Sequence, residues 1–571
     1  MNGDGSDWRQ DDSLWHSACP FGGFDTGKGP YPGGFRKESV MVTRPYKDIW
    51  SPESTISLVF SNTRVSGFFK NFEKNPDGLA IKSIALYRVK RIPVLPDLQA
   101  LLPKEPRRHV TMDAEYFTPS TLTEAPKIYG FDGLWTHNQP AAKFLYGGGF
   151  TGSRPSWGSW VHPGSMHANR VLYEKAAREG VNVKTTLGWL IDLGFEGTDH
   201  GSFLGFGWLP GPIWGSIPLS PTSEELKHLS FALDRSLAAL AKYPSLTDIA
   251  VGDLPAFSRR NLEDFSKETG VAFKAGALPE DNLKRLLESP PPTVEAWGKW
   301  SSQKRFEFLS WVLKKARAYR PEITLSLNQS WYVNGLQGMY YEDQWPFDPA
   351  ELPKAGIKTY VDFLKFVGIA PSLYSKENGF VFAVDMVPPR EMPGRGYWPY
   401  EGAADQIRDG FGGGLSVSAN FWDESSKALL GWGCNYIKDQ RSFRKEIIDA
   451  LLQANAREYI MQSYTYESGR GRLADLRELA VPFRLLPFAK AEPFKGKLAD
   501  SAKQAVIYKY GDRYGLVNPG DRPTEVTLTL PEGAAAVADL SNGIRQTLAV
   551  SKDRTVTLQL VPWSLKTLEI K

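Results

Sequence analysis

Between residues 109 and 421 the chain repeats one pattern, a short β-type run followed by a stretch long enough for a helix, and this alternation restricts the fold more than any other feature. The runs are "HVTMDAEYF" (109–117), "GFDGLWTH" (130–137), "VNVKTTLGWL" (181–190), "LTDIAVGDL" (246–254), "ITLSLN" (323–328), "IKTYVDF" (357–363), "FVFAVDM" (380–386) and "GLSVSANF" (414–421), eight in all. Helices separate several of them. Thr222 and Glu225 form a capping box ahead of a stripe of Leu226, Leu229, Leu233, Leu237 and Leu240, and Phe306, Leu309, Leu313 and Ala316 make an apolar face just before "PEITLSLN". Eight strands alternating with helices across residues 105–465 predict an α/β fold of the (β/α)8 TIM barrel type. An open doubly wound sheet gives the same local pattern.

The flanks read differently. Within 1–104, "TISLVF" and "SIALYRVKRI" are short β-type runs separated by turn residues, which predicts an N-terminal β-sandwich. "FGGFDTGKGPYPGG" lacks the Gly-Lys-Ser/Thr ending and the preceding strand of a phosphate loop. Within 466–571, "AVIYKY", "YGLVN", "TEVTLTL" and "TVTLQL" alternate again, predicting a C-terminal β-sandwich. At 571 residues the chain exceeds what one core organises, in keeping with three domains.

Charge argues against nucleic acid: 68 basic and 64 acidic residues leave +4, with no long basic run. No stretch reaches the roughly 18–20 apolar residues of a membrane span, so no membrane partner is expected. "MNGDGSDWRQ" has no signal-peptide core, yet a secreted or periplasmic protein whose leader was replaced by an initiator Met would start the same way, so a soluble chain is expected and its compartment is open. Pairing of Cys19 with Cys434 and assembly into a homo-oligomer are equally open. The 18 Trp, 23 Tyr and 31 Phe lie often in Gly/Pro-rich loops, as a surface that stacks on sugar faces requires; a large core needing bulky residues gives the same counts.

In a barrel the active site lies at the C-terminal ends of the strands. Those ends offer Glu115; Trp135 with His137 and Asn138; Trp189; Asp253; Asn328 with Trp331; Asp362; Asp385; and Trp422. Carboxylates, amides and indoles on one rim suit cleavage of a glycosidic bond, which needs an acid on the leaving oxygen, a second carboxylate at the anomeric carbon and rings to hold the sugar. The partner expected is therefore a carbohydrate, with no cofactor.

The order of these elements resembles the clan of retaining glycoside hydrolases on (β/α)8 barrels. "FAVDMVPPREMPGRGYWPYEGAADQIRDGFGGGLSVSANFW" is similar to the strand-seven to strand-eight region of family 42 β-galactosidases, and "VGDLPAF…NLEDFSKETGVAF" to the region after strand four. The resemblance implies an acid/base ending strand four and a nucleophile ending strand seven, which counting along the runs makes Asp253 and Asp385. The clan carries Glu at both places. Aspartate is one methylene shorter, so a separation near 5 Å requires a shift of backbone or sugar, and a wider gap implies inversion.

Other readings stand beside this one. Retaining barrels acting on α-glycosides use Asp at strand four as nucleophile and Asp at strand six as acid, which by the same count makes Asp253 and Asp362 the pair; Asp362 alternatively caps a helix. Asp385 reads otherwise as a turn residue before Pro388, and Asp253 as a helix N-cap. A non-catalytic carbohydrate-binding barrel and a transglycosylase are the remaining alternatives. "GFGWLPGPIWGS" (205–216) is a candidate wall, while His162 and His167 lack a carboxylate or thiolate at metal-ligand spacing.

Overall fold

The computed structural model describes residues 63–65, 72–74, 98–104, 106–113, 126, 129–136, 173–186, 219–250, 257–277, 279–328, 351–374, 379–385, 415–419, 448, 455–461, 473–501, 503–520 and 522–571. Within 1–104, Thr63–Val65 (β1) and Phe72–Lys74 (β2) pair antiparallel, and Leu98–Leu101 forms a short helix, α1. "TISLVF" and "SIALYRVKRI" lie outside the described residues.

Eight strands close a barrel: β3 (His109–Asp113), β4 (Gly133–Thr136), β5 (Asn182–Thr186), β6 (Leu246–Ala250), β7 (Thr324–Asn328), β8 (Phe380–Asp385), β9 (Leu415–Ala419) and β10 (Glu458–Met461), in chain order around the ring with β10 beside β3. Closure is parallel, Glu458 standing opposite His109 and Met461 opposite Met112. Seven of these coincide with runs expected as strands. The eighth does not.

The run 357–363, expected as a strand, holds the start of helix α6. Its β-branched and aromatic content suggested extended chain, but the Thr359 hydroxyl accepts from the Asp362 N–H at 3.1 Å and the Asp362 carboxylate accepts from the Thr359 N–H at 3.0 Å, a reciprocal cap. Leu364, Phe366 and Val367 then bury against the neighbouring helix layer. The missing strand is β10, "EYIM", far later in the chain. Strand six of the barrel is therefore β8, and strand seven is β9.

The helices are α2 (Ser223–Leu240), α3 (Arg259–Thr269), α4 (Pro279–Leu287), α5 (Pro291–Tyr319), α6 (Tyr360–Phe366), α7 (Pro371–Tyr374) and α8 (Leu473–Leu485). Helix α2 starts directly after Thr222, whose carbonyl accepts the Leu226 N–H at 2.9 Å, and it buries Leu233, Leu237 and Leu240 as their spacing requires. Helix α5 opens on Pro291, whose missing N–H loses nothing in the first turn, and buries Trp297, Leu309, Leu313 and Ala316. No helix among the described residues is long and apolar enough to cross a membrane.

The chain divides into two compact units, 134–416 and 1–133 with 417–571. In the first, strand register separates two faces. Ile249 pairs with Leu325 and Leu325 with Phe380, and the Phe380 ring meets Phe306 of α5 and Tyr374 of α7 with centroids 6.0 and 5.1 Å away, so this face looks toward the helices. The other face carries Asp248, Thr324, Ser326 and Val381 toward the barrel interior. There the Thr324 hydroxyl donates to Asp248, which is buried.

In the second unit, β11 (Lys497–Asp500), β14 (Thr524–Thr529) and β17 (Thr555–Leu560) form one antiparallel sheet. β12 (Val506–Tyr510), β13 (Arg513–Asn518), β18 (Ser564–Ile570), β15 (Val537–Asp539) and β16 (Gln546–Leu548) form another. Val526, Leu528 and Leu558 from the first sheet share an apolar core with Leu516, Leu568 and Ile570 from the second. Burial alternates along β14 and β17, whereas β13 is buried along its whole length.

One buried ionic cluster ties α8 to the start of the barrel. Arg484 donates to the Gly130 carbonyl at 2.6 Å and lies 3.1 Å from Asp132, which also takes His109 Nδ1 at 2.9 Å and the Val110 N–H at 3.0 Å. Burial opposes ionisation of Asp132, but Arg484, His109 and the Val110 N–H outweigh it and hold the carboxyl at about 2. Gly133 follows because a side chain there would collide with Thr111, whose hydroxyl donates to buried Glu458.

Candidate active site

The described strand ends that can carry chemistry in unit 134–416 belong to three adjacent strands, β6, β7 and β8. Their register fixes one common level: Ala250 pairs with Ser326, and Ser326 with Val381. From that level β7 runs on to Asn328 and β8 to Asp385, each the last residue of its strand. Side chains alternate, so Val381 is on the face opposite Phe380.

Asp253 lies outside the described residues, three positions beyond Ala250. Four residues after Asp253, the Phe257 ring is buried between Trp297 and Phe366 with centroids 5.8 and 5.2 Å away. Ser258 then caps α3, its hydroxyl accepting the Asn261 N–H at 3.2 Å. The N-cap role weighed for Asp253 thus falls to Ser258. Leu262 and Phe265 bury as the amphipathic pattern of "NLEDF" requires.

Two features of α3 were not legible in the sequence. Asn261 is fully buried, and its Oδ1 accepts the N–H of Leu219, at the root of the segment that carries "GFGWLPGPIWGS". At the other end of the helix, burial opposes ionisation of Glu268, but Lys304 at 2.8 Å, the Trp300 indole at 3.0 Å and the Ser220 hydroxyl at 2.9 Å hold its carboxyl below the ordinary range. An Asn or Glu on an amphipathic helix ordinarily faces water, so only the fold marks them out.

Asp362 does not end a strand. Its carboxylate is engaged with the Thr359 and Lys358 N–H groups at 3.0 and 3.3 Å, in the first turn of α6. Trp135 is a residue of β4. Glu115, His137, Asn138, Trp189, Trp331 and Trp422 lie outside the described residues, as do Cys19, Cys434, His162, His167 and the segment 205–216. Among the described residues, no group of three or more His, Cys, Asp or Glu is placed to hold a metal ion.

No family model matches the chain. No curated protein matches it by sequence. Solved structures it is similar to include a GH30 endoxylanase from Clostridium papyrosolvens, at 12% identity and TM-score 0.39, covering 82% of this chain and 98% of that one. They include a GH29 alpha-L-fucosidase from Bacteroides thetaiotaomicron, at 11% identity and TM-score 0.35, covering 80% and 82%. An Anoxybacillus alpha-amylase aligns at 10% identity and TM-score 0.37, covering 81% and 97%. All three are glycoside hydrolases by name; likeness at this level leaves reaction and substrate to the chain's own residues.

Proposed function

We propose that the chain is a retaining α-glycosidase in which Asp253 is the nucleophile and Asp385 the acid/base. The observation that carries this reading is the strand count. With β8 as strand six, Asp385 takes the place that counting along the sequence gave to Asp362. An Asp after strand four with an Asp ending strand six is the pattern of retaining barrels that act on α-glycosides, whereas the strand-seven place required by the β-galactosidase scheme belongs to β9.

Register supports the pairing. Asp253 and Asp385 lie three and four residues beyond one level, Ala250–Ser326–Val381. Their strands are separated by β7 alone, hence by about 9.6 Å, two strand spacings. Three residues of chain reach at most about 11 Å, so the reading puts Asp253 near the C-terminal end of β6. The reading requires the two carboxyls to stand at the roughly 5–5.5 Å of a retaining pair.

In the first step the Asp253 carboxylate bonds to the anomeric carbon while the Asp385 carboxyl gives its proton to the departing glycosidic oxygen. In the second the Asp385 carboxylate takes a proton from water, which displaces Asp253 and releases the sugar with its configuration kept. Trp135, Trp189, Trp331 and Trp422 are the candidate platform, with Glu115, His137, Asn138 and Asn328 as partners for hydroxyls. The terminal β-rich segments are read as sandwiches flanking the catalytic barrel.

Release of nitrophenol from a panel of nitrophenyl α- and β-glycosides tests the reading. Asp385→Ala is expected to lower kcat by about 100- to 10,000-fold, and Asp253→Ala to abolish turnover. Proton NMR of the first-formed sugar should show the α-anomer. In Asp253→Gly, azide should add at the vacated face and give the β-glycosyl azide. Cleavage of β-glycosides alone would overturn the assignment, and sugar binding without release would make the chain a non-catalytic carbohydrate-binding barrel.

A further inference from the structure

Strand register in the two C-terminal sheets gathers several turns at one end. Val506 stands opposite Val517, Asn518 opposite Ser564, Thr524 opposite Leu560 and Asp539 opposite Leu568, so the chain leaving β13, β15 and β17 meets the chain entering β12, β14 and β18. A single amide knits these turns together. Asn518 is fully buried; its Nδ2 donates to the Arg522 and Val561 carbonyls at 2.8 and 3.0 Å, and its Oδ1 accepts from Gln504 Nε2 and the Gly520 N–H at 2.8 and 3.0 Å. A Cβ at Gly520 would fall 2.0 Å from Gln504 Oε1, so only glycine admits that side chain.

On this frame the turn between β17 and β18, Val561–Pro562–Trp563, carries apolar side chains into water. Val561 is 50% exposed and Trp563 is half-buried. Trp563 also holds φ at 44°, a left-handed conformation that a bulky ring ordinarily avoids and that Gly511, Gly533 and Gly543 supply at other turns of these sheets. Its N–H donates to the Gly520 carbonyl at 3.1 Å, which helps to enforce the strain. Core packing does not explain it. Phe494, Leu498 and Ile507 are packed against the core between the sheets, and Trp563 is not. Among the described residues, none accepts from its indole N–H. Ile544, 43% exposed, follows β15 beside β18, where the Leu540 N–H bonds to the Thr567 carbonyl at 2.9 Å. Three large apolar side chains are exposed among the described residues, and this end of the sheets holds two of them, Val561 and Ile544.

We propose that this end of the C-terminal sheets is a binding site for a polysaccharide chain, in which the CH face of one pyranose stacks on the Trp563 indole beside Val561. An indole offers a flat apolar face and one donor at its edge, which matches a sugar's CH face and ring of hydroxyls. The strained backbone and the Asn518 hub fix the ring before the ligand arrives, so little ordering is left to do on binding. A second copy of the chain suits the site poorly: a whole aromatic side chain spans about 150–250 Å², far below the roughly 800 Å² per partner of a stable protein interface. The site holds polymer and takes no part in bond cleavage, and it does not depend on the roles given to Asp253 and Asp385.

Retardation of the full chain in native gels cast with soluble starch, xylan or galactomannan, against a gel without polysaccharide, tests this. The parent is expected to be retarded by at least one of them. Trp563→Asn removes the ring and places at φ 44° a residue that tolerates it, so binding should weaken about tenfold or more while Tm stays level or rises. Turnover of any nitrophenyl glycoside the chain cleaves should stay within twofold, since so small a substrate does not need this site. Should Trp563→Asn fail to fold, Val561→Ser carries the same comparison from a side chain already half in water, with binding about threefold weaker. Equal retardation of parent and Trp563→Asn, or none in all three polysaccharides, overturns the inference. Pelleting with phosphatidylcholine–phosphatidylserine vesicles that depends on Trp563, in place of retardation, overturns it in favour of a lipid surface.

Discussion

Replacing Asp132 by Asn measures what the buried cluster at the start of the barrel contributes. The substitution preserves shape and an acceptor for the Val110 N–H, but leaves the Arg484 guanidinium, 2% exposed, without the anion 3.1 Å away. Breaking such a pair from one side destabilises by about 3–5 kcal/mol, and the retained acceptor argues for the lower end. At about 1.4 kcal/mol per factor of ten, local opening should become about 100-fold more frequent. Hydrogen exchange in peptides covering 106–113 and 129–134 reads this directly, since the Asp132 and Val110 amides bond to Val110 O and Asp132 Oδ1 across β3. The cluster also sets a pH dependence. The Asp132 carboxyl lies at about 2 in the fold against 3.8 for the free group, so the native state binds fewer protons and stability rises with pH. The contribution, about 2 kcal/mol, is complete above about pH 5, falls through the interval between those two values and is gone below about pH 2. The Asn variant should lack this slope. Less than a threefold change in exchange, or the same acid sensitivity in both proteins, would refute the assignment of stability to this pair.

Gly379 holds φ at 122°, and a Cβ there would overlap the Arg317 guanidinium, so Gly379→Ala should destabilise by about 2–3 kcal/mol and lower Tm by several degrees, read by calorimetry. Asp362→Ala removes half of the cap on α6 and is expected to lower stability by about 1 kcal/mol; a loss of kcat equal to that of Asp385→Ala would instead make Asp362 the acid.

How much of this was legible beforehand depended on distance along the chain. Helix α2 followed from one cap and one leucine stripe, and β14 and β17 from period-two alternation, because each pattern lies within a single element. "IKTYVDFLKF" carried two local patterns at once. Ile357, Tyr360, Val361 and Phe363 favour extended chain, while Thr359 with Asp362 favours a helix start, and burial of Leu364, Phe366 and Val367 against the helix layer decided for the helix. "EYIM" has too little pattern to announce a strand; it is one because β3, some 350 residues earlier, offers an open parallel edge.

By itself, then, the sequence determined which segments alternate, which helix faces are apolar and that carboxylates follow strands, since these are consequences of nearest-neighbour chemistry. Tertiary structure decided the order of strands around the ring, and with it the place of Asp385 beside β7 at strand six, because one miscounted strand renumbers every strand after it. It also decided the inward burial of Asn261 and Asn282, since a polar side chain on a helix records in the sequence neither its partner nor its depth.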